Sequence, residues 1–110
     1  HNEDSHHLID AEALKTMKSS ALLVNTARGP VVDEAALVEG LADGEIAGAG
    51  LDVFEEEPDV HPGLLGQDRV VLAPHLGSAT TDARMRMAQM CVASITAFLD
   101  GAESVPHRLV

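Results

Sequence analysis

Three polar residues with complementary chemistry follow three apolar runs in this sequence of 110 residues. The runs occupy residues 21–24, 47–51 and 70–73, and they are followed by Arg28, Asp52 and His75. Arginine carries a permanent charge on a planar fork that suits a pair of carboxylate or phosphate oxygens. Histidine titrates near neutral pH, so His75 could take or give a proton. The pattern therefore indicates anion binding combined with proton transfer.

Glu57 extends this group, because the segment that follows Asp52 is long enough to fold back toward the same place. A carboxylate beside His75 would orient the imidazole and favour its charged form. The residues alone leave simpler alternatives open. Arg28 could pair with a neighbouring glutamate, His75 could be a loop histidine with its hydrogen bonds satisfied, and residues 55–57 could form a solvated acidic turn. Their expected convergence at one edge favours a shared site.

A strand, a helix and a strand in close succession must position Arg28 and Asp52. The apolar runs do not alternate with polar residues, which is typical of strands buried on both faces of a parallel sheet. Between the first two runs, Asp33 can cap a helix whose apolar face carries Leu37 and Leu41, and Gly44 can end it. The spacing predicts a βαβ unit with a right-handed crossover.

Two further helices are predicted on either side of this unit. The first begins at Asp10 and ends near Met17, and the last runs from residues 80–82 to Leu99, with Cys91 expected as a small buried residue. The order predicts an α/β layered fold with a small parallel sheet. Ligands of such sheets bind at the carboxyl ends of the strands. Residues 53–69 form an unusually long connection, which is typical of a functional or a disordered loop.

Composition excludes several partners. Seven basic and eighteen acidic residues give a net charge of −11, which would repel nucleic acid and anionic lipid. The one cysteine allows no internal disulfide and fits a reducing cytoplasm. No stretch reaches the roughly 18–20 apolar residues that a membrane span needs. We therefore expect a cytoplasmic protein with neither a nucleic-acid nor a membrane partner.

The segment LLVNTARGPVVDEAALVEGLADGEIAGAGLDVFEEEP, followed by VVLAPHLGSAT, resembles the NAD-dependent D-isomer-specific 2-hydroxyacid dehydrogenases. The resemblance rests on three motifs in the family's order and extends from HHLIDAEALKTMK to the final helix. It implies the second half of a Rossmann-type doubly wound parallel sheet, ending in a long C-terminal helix. It also implies hydride transfer between NAD and a small D-2-hydroxy or 2-keto acid.

The resemblance implies a role for each motif residue. Arg28 in NTARG matches the arginine that binds the substrate carboxylate, and His75 in APHLGS matches the acid/base. Glu57, the last glutamate of DVFEEEP, matches the carboxylate paired with that histidine, and Asp52 matches the aspartate near the nicotinamide carboxamide. The residues implied on the nicotinamide side of the cofactor site are Thr26, Ala27, Arg28, His75, Leu76, Gly77 and Ser78.

The sequence also departs from the family. It contains no G-x-G-x-x-G turn for a pyrophosphate, no matching acidic residue for the adenine ribose, and no substrate domain. We therefore expect residues 1–110 to be the C-terminal, nicotinamide-side part of a dinucleotide-binding domain, inactive in isolation. We expect a homodimer in the longer parent. The choice between NAD and NADP, and the identity of the acid, stay open.

The residues leave two other functions open. A non-catalytic, NAD-binding regulatory module of corepressor type could share this scaffold, although such a module would have no chemical need for Arg28, Glu57 and His75 together. A metal site at the start of the chain could combine His1, His6 and His7 with Glu3 or Asp4. Terminal residues lack a rigid scaffold, so we predict no metal site.

Overall fold

The computed structural model describes residues 3–102 and 104–106 of the chain. It divides into two compact units, His1–Gly77 and Ser78–Val110. The first unit carries the sheet and the buried core, and the second carries the long helix.

A parallel sheet of three strands organises the first unit. The strands are β1 (Leu22–Asn25), β2 (Gly48–Leu51) and β3 (Val70–Leu72), and they lie in the order β1-β2-β3. The strand, helix and strand predicted around Arg28 and Asp52 are thus confirmed. Each strand boundary lies within one residue of its apolar run.

Capping residues fix the two helices of this unit. Helix α1 (Ala11–Thr16) begins where the Asp10 side chain accepts a hydrogen bond from the backbone N–H of Ala13 at 2.8 Å. Helix α2 (Glu34–Asp43) begins in the same way at Asp33, which accepts from the N–H of Ala36 at 2.9 Å. It ends at Gly44, whose φ of 75° is left-handed and therefore suits glycine. Both predicted caps of α2 are confirmed.

The core lies between the helices and one face of the sheet. Leu14 of α1 and Leu37 and Leu41 of α2 are fully buried there, together with Ile46 and Leu64. Short 3-10 turns over Glu3–Ser5, Gly29–Val31 and Pro62–Leu64 join the elements. The core is aliphatic apart from Phe54, as the composition predicts.

The expectation that every strand is buried on both faces is wrong. Leu22 and Val24 of β1 and Val71 of β3 are 68–73% exposed. In register they flank Gly48 and Gly50 of β2, so they share one face of the sheet. Nothing in the described residues of the first unit covers this face, and a continuous apolar run could not reveal that. Only β2 is largely buried.

The second unit consists mainly of helix α3 (Thr81–Leu99), which confirms the long final helix. The Thr80 side chain caps it by accepting from the N–H of Ala83 at 3.2 Å. The prediction of a buried Cys91 is wrong, because Cys91 is exposed and α3 contains no buried residue. Its helical period is correct, but a period does not say whether anything packs against the apolar side. Within the described chain, no helix is both long and apolar enough to cross a membrane.

Candidate functional site

The three strands deliver the predicted residues to one edge of the sheet. Because β1, β2 and β3 are parallel, their carboxyl ends lie together. Arg28 follows the end of β1 by three residues, Asp52 follows β2 directly, and His75 follows β3 by three residues. This edge is where open α/β sheets bind ligands.

Glu57 and His75 form a hydrogen-bonded pair at this edge. Nδ1 of His75 lies 2.8 Å from Oε2 of Glu57, and the other carboxylate oxygen of Glu57 accepts from the N–H of Phe54 at 3.1 Å. The imidazole hydrogen bond lowers the pKa of Glu57, with further lowering from the Phe54 N–H and the Arg28 charge. Glu57 is therefore an anion at neutral pH. Because Nδ1 faces Glu57, proton exchange between His75 and a ligand would use Nε2.

Asp52 holds the backbone turn that follows His75. It is buried, and its two carboxylate oxygens accept hydrogen bonds from the N–H groups of Leu76 and Gly77, each at 2.7 Å. Two such bonds satisfy the carboxylate inside the protein. This structural role of Asp52 could not be predicted from the sequence, and its proximity to the nicotinamide stays a prediction.

Asn25, which the sequence reasoning passed over, shapes the loop that carries Arg28. It is buried at the end of β1, where its Nδ2 donates to the Arg28 carbonyl at 2.9 Å. Its Oδ1 accepts from the N–H of Ala27 at 3.1 Å, which is an Asx turn. An asparagine at the end of an apolar run is the signal that could have revealed it.

The Arg28 side chain itself is exposed. Its Nη1 donates to the carbonyl of Ala27 at 2.6 Å, so the guanidinium lies over its own loop. The structure thus pairs Glu57 with His75 and places Arg28 at the same edge without a contact to that pair. The guanidinium charge nevertheless reaches Glu57, since it contributes to the lowered pKa.

Gly29 brings the first two loops of this edge into backbone contact. A Cβ atom built on Gly29 would lie 1.8 Å from the carbonyl oxygen of Phe54. No side chain fits in that space, so the segment after Arg28 lies directly on the segment that leads to Glu57. Glycine at this position is therefore a requirement of the site geometry.

A cavity of about 430 Å³ opens beside the Glu57–His75 pair. It is lined by Phe54, Glu57, Pro58, Val60, Pro74 and His75. Apolar walls with two titratable groups suit a small organic ligand. Among the other predicted cofactor residues, Thr26 and Ala27 are exposed on the Arg28 loop, which fits contact with a flat ring at the strand ends. Ser78 begins the second unit.

A second polar cluster lies around His7. Its Nε2 is 2.5 Å from Oε1 of Glu55, and its Nδ1 is 3.7 Å from Oδ2 of Asp33. The ring of His6 stacks on that of His7 at 3.9 Å, and ligand atoms of His6, His7 and Glu55 lie within 4.8 Å of one another. Sequence reasoning missed Glu55, which is 48 residues from His7.

This cluster differs from the metal site that was considered and set aside. His1 and the Glu3 side chain lie outside the described residues. The grouping of His6 and His7 with Glu55, in place of Asp4 or Glu3, was not foreseen. Both ring nitrogens of His7 face carboxylates, and the hydrogen bond that His7 donates to Glu55 is the main reason that the pKa of His7 is raised.

Comparisons with known proteins identify the family of the chain. Residues 1–77 match the family model described as D-isomer specific 2-hydroxyacid dehydrogenase, NAD binding domain. A glyoxylate reductase of Thermococcus onnurineus is 55% identical over 108 residues, which cover 98% of this chain and 32% of that protein.

Solved structures give the same result. An NADPH-dependent glyoxylate/hydroxypyruvate reductase of Sinorhizobium meliloti, in complex with NADP and malonate, is 41% identical with a TM-score of 0.85, over 89% of this chain and 31% of that one. A D-lactate dehydrogenase with NAD+ from Lactobacillus jensenii is 28% identical with a TM-score of 0.83, over 100% of this chain and 37% of that one.

These matches confirm two expectations, the family resemblance inferred from the motifs and the Rossmann-type fold that it implies. The chain spans about a third of the length of the relatives that it matches. The family model covers the first unit in full, and the pairwise match to the Thermococcus relative extends over nearly the whole chain. The chain belongs to the D-isomer specific 2-hydroxyacid dehydrogenases, and its residues 1–77 match their NAD-binding domain.

Proposed function

We propose that residues 1–110 are the nicotinamide-side part of an NAD(P)-dependent oxidoreductase. The whole protein would transfer a hydride between the nicotinamide and C2 of a small D-2-hydroxy or 2-keto acid. The observation that carries this proposal is the Glu57–His75 pair, with 2.8 Å between Oε2 and Nδ1, at the edge that Arg28 also reaches. An imidazole hydrogen-bonded to a carboxylate, at the same edge as an arginine, suits proton transfer to a bound carboxylic acid.

Each residue has a separate task in this proposal. His75 gives a proton from Nε2 to the keto oxygen during reduction and takes it back during oxidation. Glu57, an anion at neutral pH, stabilises the protonated imidazole. Arg28 binds the substrate carboxylate through its planar fork and stabilises charge that develops on the adjacent oxygen.

The cofactor supplies the hydride, and this chain would hold its nicotinamide end. We propose that Asp52, Thr26 and Ala27, together with Arg28, His75, Gly77 and Ser78, form that part of the binding site. The exposed loop over Thr26 and Ala27 and the fixed turn after His75 support this placement. Both NAD and NADP are candidates, because solved relatives are described with NADP and with NAD+.

We propose a small 2-keto acid such as glyoxylate as the substrate. Support comes from the names of relatives, which include the glyoxylate reductases of Thermococcus onnurineus and Thermofilum pendens. We also propose that the parent protein is a cytoplasmic homodimer without nucleic-acid or membrane partners. The net charge of −11 and the single cysteine support the compartment and the absence of those partners.

A chimera tests the proposal. This chain would replace the matching third of the Thermococcus onnurineus glyoxylate reductase, to which it is 55% identical. We expect the chimera to oxidise NADH or NADPH with glyoxylate, and His75→Ala to reduce kcat by about 10²–10⁴-fold. His61→Asn is the matched control, because His61 caps the turn Pro62–Leu64, does not line the cavity beside His75, and can be replaced as a cap by asparagine. Equal rates for the two variants would refute the role of His75.

The isolated chain of 110 residues provides a complementary test. We expect no turnover of NADH with glyoxylate, since the sequence has no glycine-rich turn for the pyrophosphate. Measurable turnover by this chain alone would contradict the proposal that these residues form only the nicotinamide-side part of the active site.

A further inference from the structure

The segment before α1 is fastened to the loop that carries Glu57. The backbone N–H of His7 donates to the carbonyl of Pro30 at 2.8 Å, and Ile9 forms a parallel bridge with Val32. These contacts fix the His7 backbone, whose φ of 49° is left-handed. Its ring then reaches Glu55 at 2.5 Å. We call this contact the His7–Glu55 clasp.

Glu55 is also bound to the first turn of α2. Its backbone N–H donates to Oε1 of Glu34 at 2.9 Å, and its Oε2 accepts from the N–H of Glu34 at 3.3 Å. Glu34 is 4% exposed, so this reciprocal pair is a buried anchor. Glu55 thus uses both carboxylate oxygens and its own N–H to hold one loop position against two other segments.

Glu57 lies two residues beyond this anchor. Its Oε1 accepts from the N–H of Phe54, the residue before Glu55, and its Oε2 meets Nδ1 of His75. The side chain of Glu57 is 36% exposed, and these two hydrogen bonds hold both of its carboxylate oxygens. Its direction therefore depends on where the Phe54–Glu55 backbone lies.

We propose that Glu55, held by His7 and Glu34, is a positioning residue that keeps the Glu57 carboxylate on His75. The catalytic meaning of this inference rests on the proposed function, whereas its geometry does not. The clasp touches neither the cavity beside His75 nor Arg28. It acts through the loop backbone, in the way that supporting hydrogen bonds orient groups that act directly.

The pKa of Glu57 reports on this positioning. It lies below its ordinary value mainly because of the hydrogen bond from His75. Replacing Glu55 with glutamine removes a negative charge from the neighbourhood, which by charge alone would lower the pKa of Glu57 further. Loss of positioning would weaken the bond to His75 and raise that pKa. The two effects have opposite signs and can be told apart.

The experiment titrates the Glu57 carboxyl carbon by NMR in the 110-residue chain, in the native sequence and in Glu55→Gln. We expect the pKa of Glu57 to rise toward its ordinary value in Glu55→Gln. The matched control is Glu56→Gln, which removes the same charge from the next residue, whose side chain is exposed. In that control the pKa should stay or fall. A fall in both variants, or an equal rise in both, would overturn the proposal.

His7→Asn provides the second arm if Glu55→Gln fails to fold. Asparagine tolerates the left-handed backbone at this position but cannot reproduce the imidazole contact. His61→Asn is its control for a lost imidazole, because His61 lies outside the clasp and asparagine can also cap the turn Pro62–Leu64. A larger rise of the Glu57 pKa in His7→Asn than in His61→Asn supports the clasp, and equal rises refute it. Neither titration needs cofactor or substrate, so the two proposals can fail separately. If the chimera is inactive but the pKa of Glu57 rises in these variants as expected, only the proposed function is rejected.

Discussion

At His75, different partners hold the backbone and the side chain. The backbone is left-handed, with φ at 55°, and the next two N–H groups are bound by Asp52. The imidazole is bound by Glu57. A left-handed residue other than glycine persists only where its surroundings determine it. Asp52 is thus as necessary to the orientation of His75 as Glu57 is.

Asp52→Asn tests this dependence. One of the two carboxylate oxygens becomes an NH₂ group that faces a backbone N–H, so a buried donor loses its acceptor. We expect the free energy of unfolding to fall by about 1–3 kcal/mol, as measured by urea denaturation. The matched control is Asp59→Asn at an exposed position, with an expected change within about 0.5 kcal/mol. Equal changes in the free energy of unfolding of the two variants would contradict the structural role of Asp52.

Glu57 makes stability depend on acid pH. Its pKa is lower in the folded chain than its ordinary value, mainly through the hydrogen bond from His75. The ionised Glu57 carboxylate therefore stabilises the folded chain at pH values above its ordinary pKa of 4.5. This stabilisation is lost as the pH falls through the lower pKa of the folded chain. We expect Glu57→Gln to flatten the decline of unfolding free energy between about pH 5 and pH 3. An unchanged slope, with Glu56→Gln as the reference, would contradict this.

His7 makes stability depend on pH in the opposite sense. Its pKa is raised above 6.5, mainly by the hydrogen bond to Glu55. Protonated His7 therefore stabilises the folded chain at pH values below 6.5. This stabilisation is lost as the pH rises through the raised pKa of the folded chain. We expect His7→Asn to remove this decline above pH 6.5, as followed by urea unfolding at a series of pH values, whereas His61→Asn, outside the clasp, keeps it. If the unfolding free energy of His7→Asn still declines above pH 6.5, a group other than His7 causes the decline.

At the scale of elements, the loops after β1 and β2 meet through Gly29. Gly29→Ala places a Cβ 1.8 Å from the Phe54 carbonyl oxygen, so backbone must move at the site edge. We expect a loss of about 2–3 kcal/mol in the free energy of unfolding, measured by urea denaturation. Gly50→Ala is the control, because its Cβ would be 3.8 Å from Val24 and change stability by about 0.5 kcal/mol or less. Similar losses in both would contradict the close approach.

Local signals in the sequence predicted these elements well. Asp33 and Gly44 are residues whose own chemistry begins and ends a helix, and parallel strands follow from the short apolar runs and the helix between them. The contacts that sequence could not predict are those between distant positions, such as His7 with Glu55 and Asp52 with Gly77. They depend on the path of loops, which no periodic pattern encodes. The resemblance found the Glu57–His75 pair because the motifs, unlike the loop path, are local.

At the scale of the whole molecule, exposed apolar side chains and a large net charge have opposite effects on self-association. Helix α3 carries seven exposed large apolar residues, Met85, Met87, Met90, Val92, Ile95, Phe98 and Leu99, against three on the sheet face. Apolar surface of this kind promotes association. The net charge of −11 keeps copies of the chain apart, and salt screens that repulsion.

We therefore expect the isolated chain to associate with itself as salt increases, through α3. Sedimentation velocity should show a larger mean mass at about 1 M salt, where the screening length is about 3 Å, than at about 0.01 M, where it is about 30 Å. A variant with Val92→Gln, Ile95→Gln and Phe98→Gln keeps good helix formers on α3 and should stay monomeric at both concentrations. Leu22→Thr, Val24→Thr and Val71→Thr change three similarly exposed residues on the sheet face while keeping strand-forming side chains. If this second variant stays monomeric while the first associates, the sheet face is the associating surface, because the charge is the same in both.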